Sequence, residues 1–138
     1  MYHQQYNEIY SWNNMVQINK FRDNTCLFIG LSFDDPNLRR LLDIANLQKG
    51  ESKKYHYRIE KRYNLKSLEK KILRILEQDT QLSDKKELSK LKLDETVKYL
   101  ANMMEKFEEN DALSFGVQTI WIKDYKEIPE ILKEIRRV

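Results

Sequence analysis

Residues 26–42 read CLFIGLSFDDPNLRRLL, a short apolar run followed by a glycine and then by a helical pattern. The run from Cys26 to Gly30 has no polar alternation, which is typical of a parallel strand covered on both faces. Asp35 suits the N-cap of a helix and Pro36 suits its first position. The stretch therefore predicts a buried strand, a turn at Gly30 and a helix that begins at Pro36.

The predicted helix begins beside the carboxyl end of the predicted strand. Gly30 allows a close approach of the backbone to another group, and the unpaired N–H groups at a helix start attract phosphate or ribose oxygens. A nucleotide site and an ordinary strand–turn–helix unit with a capped helix explain these residues equally well. The stretch by itself predicts the local structure and does not decide whether this segment binds a nucleotide.

Two further strands are predicted downstream. Residues 55–59, YHYRI, alternate with period two, which indicates a strand with one better-buried face and places His56 on the polar face. Residues 117–122, VQTIWI, form an apolar and β-branched run directly after Gly116, which favours a turn. We therefore expect about three strands, with the exit of the last at 123–125.

Apolar residues at helical spacing predict the helices between these strands. One or two short helices are expected within 2–21, a helical insert at 64–112 and a closing amphipathic helix at 128–135. Within the insert, a second helix is expected to open at Ser83-Asp84, with a break near Leu93-Asp94. Strands that alternate with helices predict an α/β fold, here a partial Rossmann-like parallel sheet flanked by helices, whose ligands bind at the carboxyl ends of the strands.

The composition limits the classes of partner. The 138 residues suit one domain, and the net charge of +3 arises from 25 basic and 22 acidic residues along the same segments. Nucleic-acid binding through the basic residues at 53–54, 58, 61–62 and 70–71 is a minor alternative, since solvated helix faces explain the charge. No apolar run approaches the roughly 18 residues that span a bilayer, so no membrane contact is expected. The single cysteine, Cys26, excludes an internal disulfide and indicates a reducing, cytoplasmic setting.

Catalytic motifs are missing from the sequence. His3 and His56 have no acidic partner at a suggestive spacing, and no cluster of metal-ligating residues, nucleophile elbow or glycine-rich phosphate loop is present. Asp34 and Asp35 are adjacent, and a helix cap explains Asp35 better than acid–base catalysis does. We therefore assign no catalytic residue and no metal site.

FIGLSFDDPNLRRLL at 28–42 resembles the F-[IV]-G-x-S-x-x-D-P-x-[IL]-x-x-L-L signature of bacterial sirtuin-like domains. These domains are NAD-dependent relatives of sirtuin deacylases and occur in many anti-phage defence proteins. The resemblance continues upstream in QYNEIYSWNNMVQINKFRDNTCLFIG and downstream in KYHYRI and FGVQTIWIKDYKEIPEILKEI. It covers the chain from about Tyr6 to Ile135.

The resemblance implies that NAD, or ADP-ribose, lies across the carboxyl edge of the sheet. Gly30 and Ser32 would meet the adenosine ribose, because glycine admits the backbone and serine offers a hydroxyl. Asp35 and Asn37 would fix the turn and the helix start. The last-strand exit would hold the adenine end. The implied cofactor-binding residues are Gly30, Ser32, Asp35, Asn37, Asp124 and Tyr125.

The resemblance also predicts that part of the domain is missing. Members of the family carry a Gly-Ala-Gly loop and a catalytic asparagine and histidine upstream of the region where this sequence starts. Residues 1–138 therefore resemble the C-terminal half of one sirtuin-like domain, related to NAD hydrolases or NAD-dependent deacylases, with the insert at 64–112. Such a fragment is expected to be inactive alone. Its expected partner is an N-terminal half or a neighbouring subunit that completes the sheet, or a second copy.

A different class of function remains open at this stage. An unpaired sheet edge is a template for another strand, and amphipathic helices pair with partner helices. The chain is then a non-enzymatic interaction module that docks a partner through its open sheet edge or its amphipathic helices.

Overall fold

The computed structural model describes residues 11–50, 54–78 and 92–137. The described helices and strands, in chain order, are α1 Trp12–Asp23, β1 Leu27–Ile29, α2 Pro36–Gln48, β2 His56–Lys61, α3 Leu65–Gln78, α4 Leu93–Ser114, β3 Val117–Ile122 and α5 Ile128–Arg136. A short 3-10 helix, Tyr125–Glu127, precedes α5. No helix in these described ranges has the length and apolar character needed to cross a membrane.

The chain divides into two compact units. The first contains the described residues of 1–61 and 109–138, and the second contains 62–108. The first unit holds the whole sheet together with α1, α2 and α5. That 64–112 is an insert within a sirtuin-like domain stays a prediction.

The three strands form one parallel sheet in the order β1-β2-β3. Ile29 pairs with Ile59, and Ile59 pairs with Ile120, so the three carboxyl ends meet at one edge. A parallel sheet of three strands flanked by helices confirms the predicted α/β, Rossmann-like class. Strand β2 lies in the centre, and β1 and β3 lie at its two sides.

One face of the sheet builds the core against α1 and α2. Phe28 of β1 contacts Phe21 of α1 edge to face, with 5.7 Å between ring centroids. Leu41 and Leu42 of α2 are fully buried in the same cluster. These residues recur at helical spacing, which aligns one apolar stripe of α2 with the sheet.

The start and the end of α2 follow the sequence signals. Asp35 is the N-cap, and its carboxylate accepts a hydrogen bond of 2.9 Å from the backbone N–H of Asn37. Pro36 occupies the first turn, where an N–H has no partner within the helix, so its absence costs no hydrogen bond. After the C-cap Lys49, Gly50 takes a φ of +60°. The predicted N-cap is confirmed.

The predicted polar face of β2 is wrong, whereas Ile59 on the opposite face is buried as predicted. His56 is fully buried and Arg58 is 6% exposed, whereas Tyr57 is 36% exposed. The reason is the register of the sheet: Phe28, Arg58 and Thr119 pair in adjacent strands, so they share a face, and that face meets α1 and α2. Alternation alone cannot say which face of a strand the helices cover.

The described residues of the second unit, 62–78 and 92–108, are mostly helical. Helix α3 confirms the helix predicted from the apolar spacing at 68–76, and α4 begins at Leu93, where a break was expected. Within 62–108, Arg62 forms an ion pair with Glu105, and the Tyr63 hydroxyl donates to Glu108. The predicted helix start at Ser83-Asp84 lies outside the described residues.

Candidate functional site

The candidate site is the carboxyl edge, defined here as residues 30–37 after β1, 60–61 at the end of β2 and 123–127 after β3. Parallel α/β sheets bind ligands at this edge because strand ends and helix starts converge there. All three segments belong to the first unit. The six predicted site residues lie on two of them.

Gly30 has a φ of +69° directly after β1. In this left-handed region a side chain is strained, so the position favours glycine. A Cβ at Gly30 would meet no other atom within 4 Å. The backbone geometry, and not crowding by protein atoms, therefore requires the glycine, and the space beside it is open.

Ser32 is exposed, two residues further along the loop. Its Oγ accepts a hydrogen bond of 3.2 Å from the backbone N–H of Asp34, which tightens the turn. A serine hydroxyl also has one O–H donor. That donor is not used in any hydrogen bond among the described residues, so it is available to an acceptor on a ligand.

The loop that carries Ser32 is anchored by the next residue. Phe33 is buried, with its ring 5.4 Å from Phe28 and with the Arg58 guanidinium 5.1 Å from its centroid. Arg39 of α2 donates to the Phe33 carbonyl oxygen and pairs with Asp111. Aromatic, cationic and backbone contacts thus fix the loop at one point beside the hydroxyl.

The start of α2 uses most of its own donors. Pro36 has no N–H, the N–H of Asn37 bonds to the Asp35 carboxylate, and the N–H of Arg39 bonds to the Asp35 carbonyl oxygen. The Asn37 side-chain oxygen accepts from Arg40 at 3.0 Å. The idea that this helix start offers its free N–H groups to a phosphate is therefore poorly supported by the observed bonds. Asp35 and Asn37 shape the turn, as expected of them.

Asp124 and Tyr125 lie on the far side of the carboxyl edge. Asp124 caps the 3-10 helix in a capping box with Glu127, whose carboxylate accepts from the Asp124 N–H at 2.8 Å. Tyr125 is 63% exposed, and the Lys61 ammonium lies 5.2 Å from its ring centroid. The exit of β3 is therefore a fixed turn that presents an aromatic ring beside a cation from the end of β2.

The structure brings the site residues together as two groups and not as one cluster. Gly30, Ser32, Asp35 and Asn37 share the loop after β1, and Asp124 and Tyr125 follow β3. Because β2 lies between them, the groups are separated by two strand spacings, about 10 Å. Their role in binding a cofactor stays a prediction.

Sequence reasoning missed Phe33 and Lys61 as parts of this edge. Phe33 sits between polar residues in FDDP, and its apolar character is the one available signal of an anchor. Lys61 belongs to a basic pair and reaches Tyr125 only because β2 and β3 are adjacent. Within the described ranges, no three His, Cys, Asp or Glu residues are grouped so that they could hold a metal ion.

Comparison with known proteins identifies the family. Residues 1–85 match the SIR2-like domain. The chain belongs to the SIR2-like domain family. It is also similar to the NAD(+) hydrolase ThsA of Enterococcus faecium, with 31% identity over 113 residues. That alignment covers 82% of this chain and 20% of ThsA, so the chain spans about a fifth of the length of this relative.

Family membership confirms the resemblance on which the site residues were chosen. The matched segment of the SIR2-like domain, 1–85, includes the first group of site residues, from Gly30 to Asn37. Asp124 and Tyr125 lie outside it. The loop after β1 is thus the better supported half of the candidate site.

Proposed function

We propose that this SIR2-like domain binds the adenosine part of NAD, or of ADP-ribose, at the carboxyl edge of its sheet. The observation that carries the proposal is Gly30, a left-handed glycine with open space beside it at the carboxyl end of β1. It lies in the segment matched by the family, and one relative is named as an NAD(+) hydrolase. The hydrogen-bond donors and acceptors at the carboxyl edge determine which part of the nucleotide fits there.

The loop after β1 suits a sugar better than a phosphate. Asp34 and Asp35 place carboxylates at the start of α2, which repel a phosphate, and most of the N–H groups there are already bonded. Carboxylates accept hydrogen bonds from ribose hydroxyls, and the Ser32 hydroxyl donates to a ribose oxygen. The open space at Gly30 lets the sugar approach the backbone. These groups fit the adenosine ribose.

The exit of β3 supplies the surface for the base. The Tyr125 ring is largely exposed and stands next to the Lys61 cation. Aromatic rings stack on bases with little regard to sequence or substituent. About 10 Å between the two groups leaves room for adenine and its ribose to lie across the end of β2.

We further propose that the domain does not cleave NAD by itself. The 138 residues contain no glycine-rich phosphate loop. His56 is fully buried and bonded within the protein, so it does not reach the carboxyl edge. In this proposal the chain is the C-terminal half of a domain from an enzyme related to NAD hydrolases or NAD-dependent deacylases of bacterial anti-phage defence, and cleavage is assigned to residues outside this sequence. A reducing cytoplasm fits the free thiol of Cys26.

Titration with ADP-ribose in a calorimeter tests the binding proposal. The Ser32→Ala variant is expected to bind about fivefold more weakly, because one neutral hydrogen bond contributes roughly 1 kcal/mol. Ser67→Ala is the matched control, since Ser67 is an exposed serine in the second unit. Equal affinity of wild type and Ser32→Ala, or no binding by folded wild type, would contradict the proposal.

Incubation with NAD tests the proposed lack of cleavage. We expect nicotinamide release from the purified chain to stay at the level of NAD in buffer, because the binding half holds no catalytic group. Sustained turnover that disappears in Ser32→Ala would show that these residues form a complete enzyme. Turnover that persists in this variant would indicate a contaminating enzyme.

A partner that completes the sheet is the second candidate function, and β1 favours it. Strand β1 pairs only with β2 among the described strands, and Ile29 and Leu31 beside it are 44% and 51% exposed. We propose that a strand of an N-terminal half or of a neighbouring subunit pairs with β1. Size-exclusion chromatography with light scattering tests self-association, and co-expression with the upstream reading frame tests the other partner. A monomer that retains no partner contradicts this proposal.

A further inference from the structure

The amino edge of the sheet, opposite the carboxyl edge, has a cavity of about 220 Å³ in the first unit. The cavity lies where β2 and β3 begin, and the residues that line it are mainly polar or basic. Those used below are Lys49, Lys54, Tyr55 and Ser114. Behind Lys49 lies the fully buried His56.

The proton of the His56 ring is located by a backbone bond. The N–H of Cys26 donates to Nδ1 of His56 at 3.1 Å, so Nδ1 carries a lone pair. A neutral imidazole has one donor and one acceptor, so its proton is on Nε2. Burial is the first cause that keeps the ring neutral, because it lowers the pKa of His56 to about 4.

The Nε2–H of His56 faces the amine of Lys49. Nε2 and Nζ are 2.9 Å apart, and Nζ also donates to the Lys54 carbonyl oxygen at 3.2 Å. An ammonium group has only donors, so it would point a proton at the Nε2–H. A free amine has a lone pair that accepts the Nε2–H and protons that still reach the Lys54 carbonyl. Two groups contact the ring nitrogens, the backbone amide of Cys26 and the amine of Lys49. The amide cannot release its proton, whereas a lysine ammonium can, so Lys49 is the group that is deprotonated.

The surroundings of Lys49 also favour the free amine, because together they lower its pKa. Burial lowers its pKa first, the Lys54 cation lowers it further, and only Cys26 opposes them. Burial raises the pKa of the Cys26 thiol, so this opposing charge is small at neutral pH. At the end of α1, the Arg22 guanidinium is paired with Asp23, and Lys20 adds a further cation to the last turn.

We propose that Lys49 is a nucleophilic lysine that forms an imine with an aldehyde or ketone bearing an anionic group. Lys49 lines the cavity, and Lys54, which also lines it, pairs with the anion. A lysine with a second cation beside it in a desolvated site is the usual arrangement for such an amine. Nothing in this proposal depends on the nucleotide site.

The chemistry balances without an oxidant or a metal. Rotation about the Cε–Nζ bond first releases the Nζ lone pair from the His56 Nε2–H. The lone pair then adds to the carbonyl carbon, the carbonyl π bond breaks, and the oxygen takes the proton that leaves the nitrogen. Loss of water from this carbinolamine forms the C=N bond. Tyr55 and Ser114 line the cavity. The Tyr55 hydroxyl donates to the departing oxygen, whereas the Ser114 hydroxyl donates to the Asp111 carbonyl oxygen and acts only as an acceptor.

Pyridoxal 5′-phosphate, trapped with borohydride, tests this site on the full chain. Peptide mass spectrometry then gives the labelling rate of each lysine. We expect Lys49 to be labelled several-fold faster than Lys98 at pH 7.5, because the Asp94 carboxylate, 2.7 Å away, raises the pKa of Lys98. As the pH is raised, the labelling rate of Lys49 is also expected to reach its plateau at a lower pH than the labelling rate of Lys98.

Two variants and one second probe separate the parts of the proposal. Lys49→Arg is expected to remove the fast label, and Lys98→Arg is expected to leave it unchanged. Pyridoxal without its phosphate, or the Lys54→Gln variant, is expected to slow the Lys49 label several-fold. Equal rates and equal pH profiles at Lys49 and Lys98 would overturn the proposal. If Lys49 is labelled equally fast by pyridoxal without its phosphate and in the Lys54→Gln variant, the assignment of an anionic substrate is overturned.

Discussion

Acidification from pH 7 to pH 4 is expected to lower the free energy of unfolding by about 3 kcal/mol through His56 alone. The ring is fully buried, and its pKa falls from 6.5 to about 4, first by burial and then by the positive charge that Lys49 carries once it is protonated. The unfolded ring gains a proton below pH 6.5, whereas the folded ring stays neutral. Stability is therefore complete above pH 6.5 and is lost as the pH falls towards 4.

Urea unfolding followed by circular dichroism at several pH values between 7 and 4 measures this loss. His56→Asn is the matched variant, because the asparagine oxygen stands near the position of Nδ1 and can accept from the Cys26 N–H. We expect the variant to lose less stability over this range, since its carboxyl groups titrate but its residue 56 does not. An equal loss in both proteins, or a His56 ring signal that titrates near pH 6.5 in the folded protein, would refute the assignment.

Replacement of Gly30 by alanine is expected to weaken ADP-ribose binding about tenfold and to destabilise the fold by roughly 1–2 kcal/mol. A φ of +69° strains any residue with a Cβ, although the Cβ itself meets no protein atom. The methyl group would enter the open space that the proposed ribose occupies. Two different effects, on stability and on binding, are thus expected from one change.

Gly50→Ala separates the two effects. Gly50 has a φ of +60° and equally open surroundings, but it follows α2 at the opposite end from the carboxyl edge. We expect a similar loss of stability and an unchanged affinity for ADP-ribose. Calorimetry and thermal unfolding on both variants measure this. If both variants bind as wild type does, Gly30 is an ordinary turn glycine and the nucleotide proposal loses its main support.

The elements predicted correctly are those whose signals are local. The strand, turn and helix of 26–42 and the run at 117–122 were read from adjacent residues, since caps, prolines and apolar spacing act within a few positions. The polar face of β2 was predicted wrongly, because burial there depends on which neighbours pair with Arg58. Register across a sheet leaves no local trace when both faces carry aromatic or polar residues.

The candidate site was predictable in its segments and not in its contacts. Family resemblance led to Ser32 and Tyr125, but the pairing of Lys61 with Tyr125 requires the order of the strands. The contact between Lys49 and His56 at the amino edge had no sequence signal, because it spans a segment whose residues are unremarkable in composition. Chemistry that joins separate elements becomes visible only once the sheet is assembled.

Arg58 connects the two sides of the carboxyl edge mechanically. Its guanidinium lies over Phe33, the anchor of the Ser32 loop, while its Nε donates to the Thr119 hydroxyl of β3 at 2.9 Å. A displacement of β3 would therefore pull on the loop after β1, and a ligand that orders this loop would stiffen β3. The two sides of the proposed nucleotide site thus share one support, and we expect a ligand that binds across both to stiffen them together.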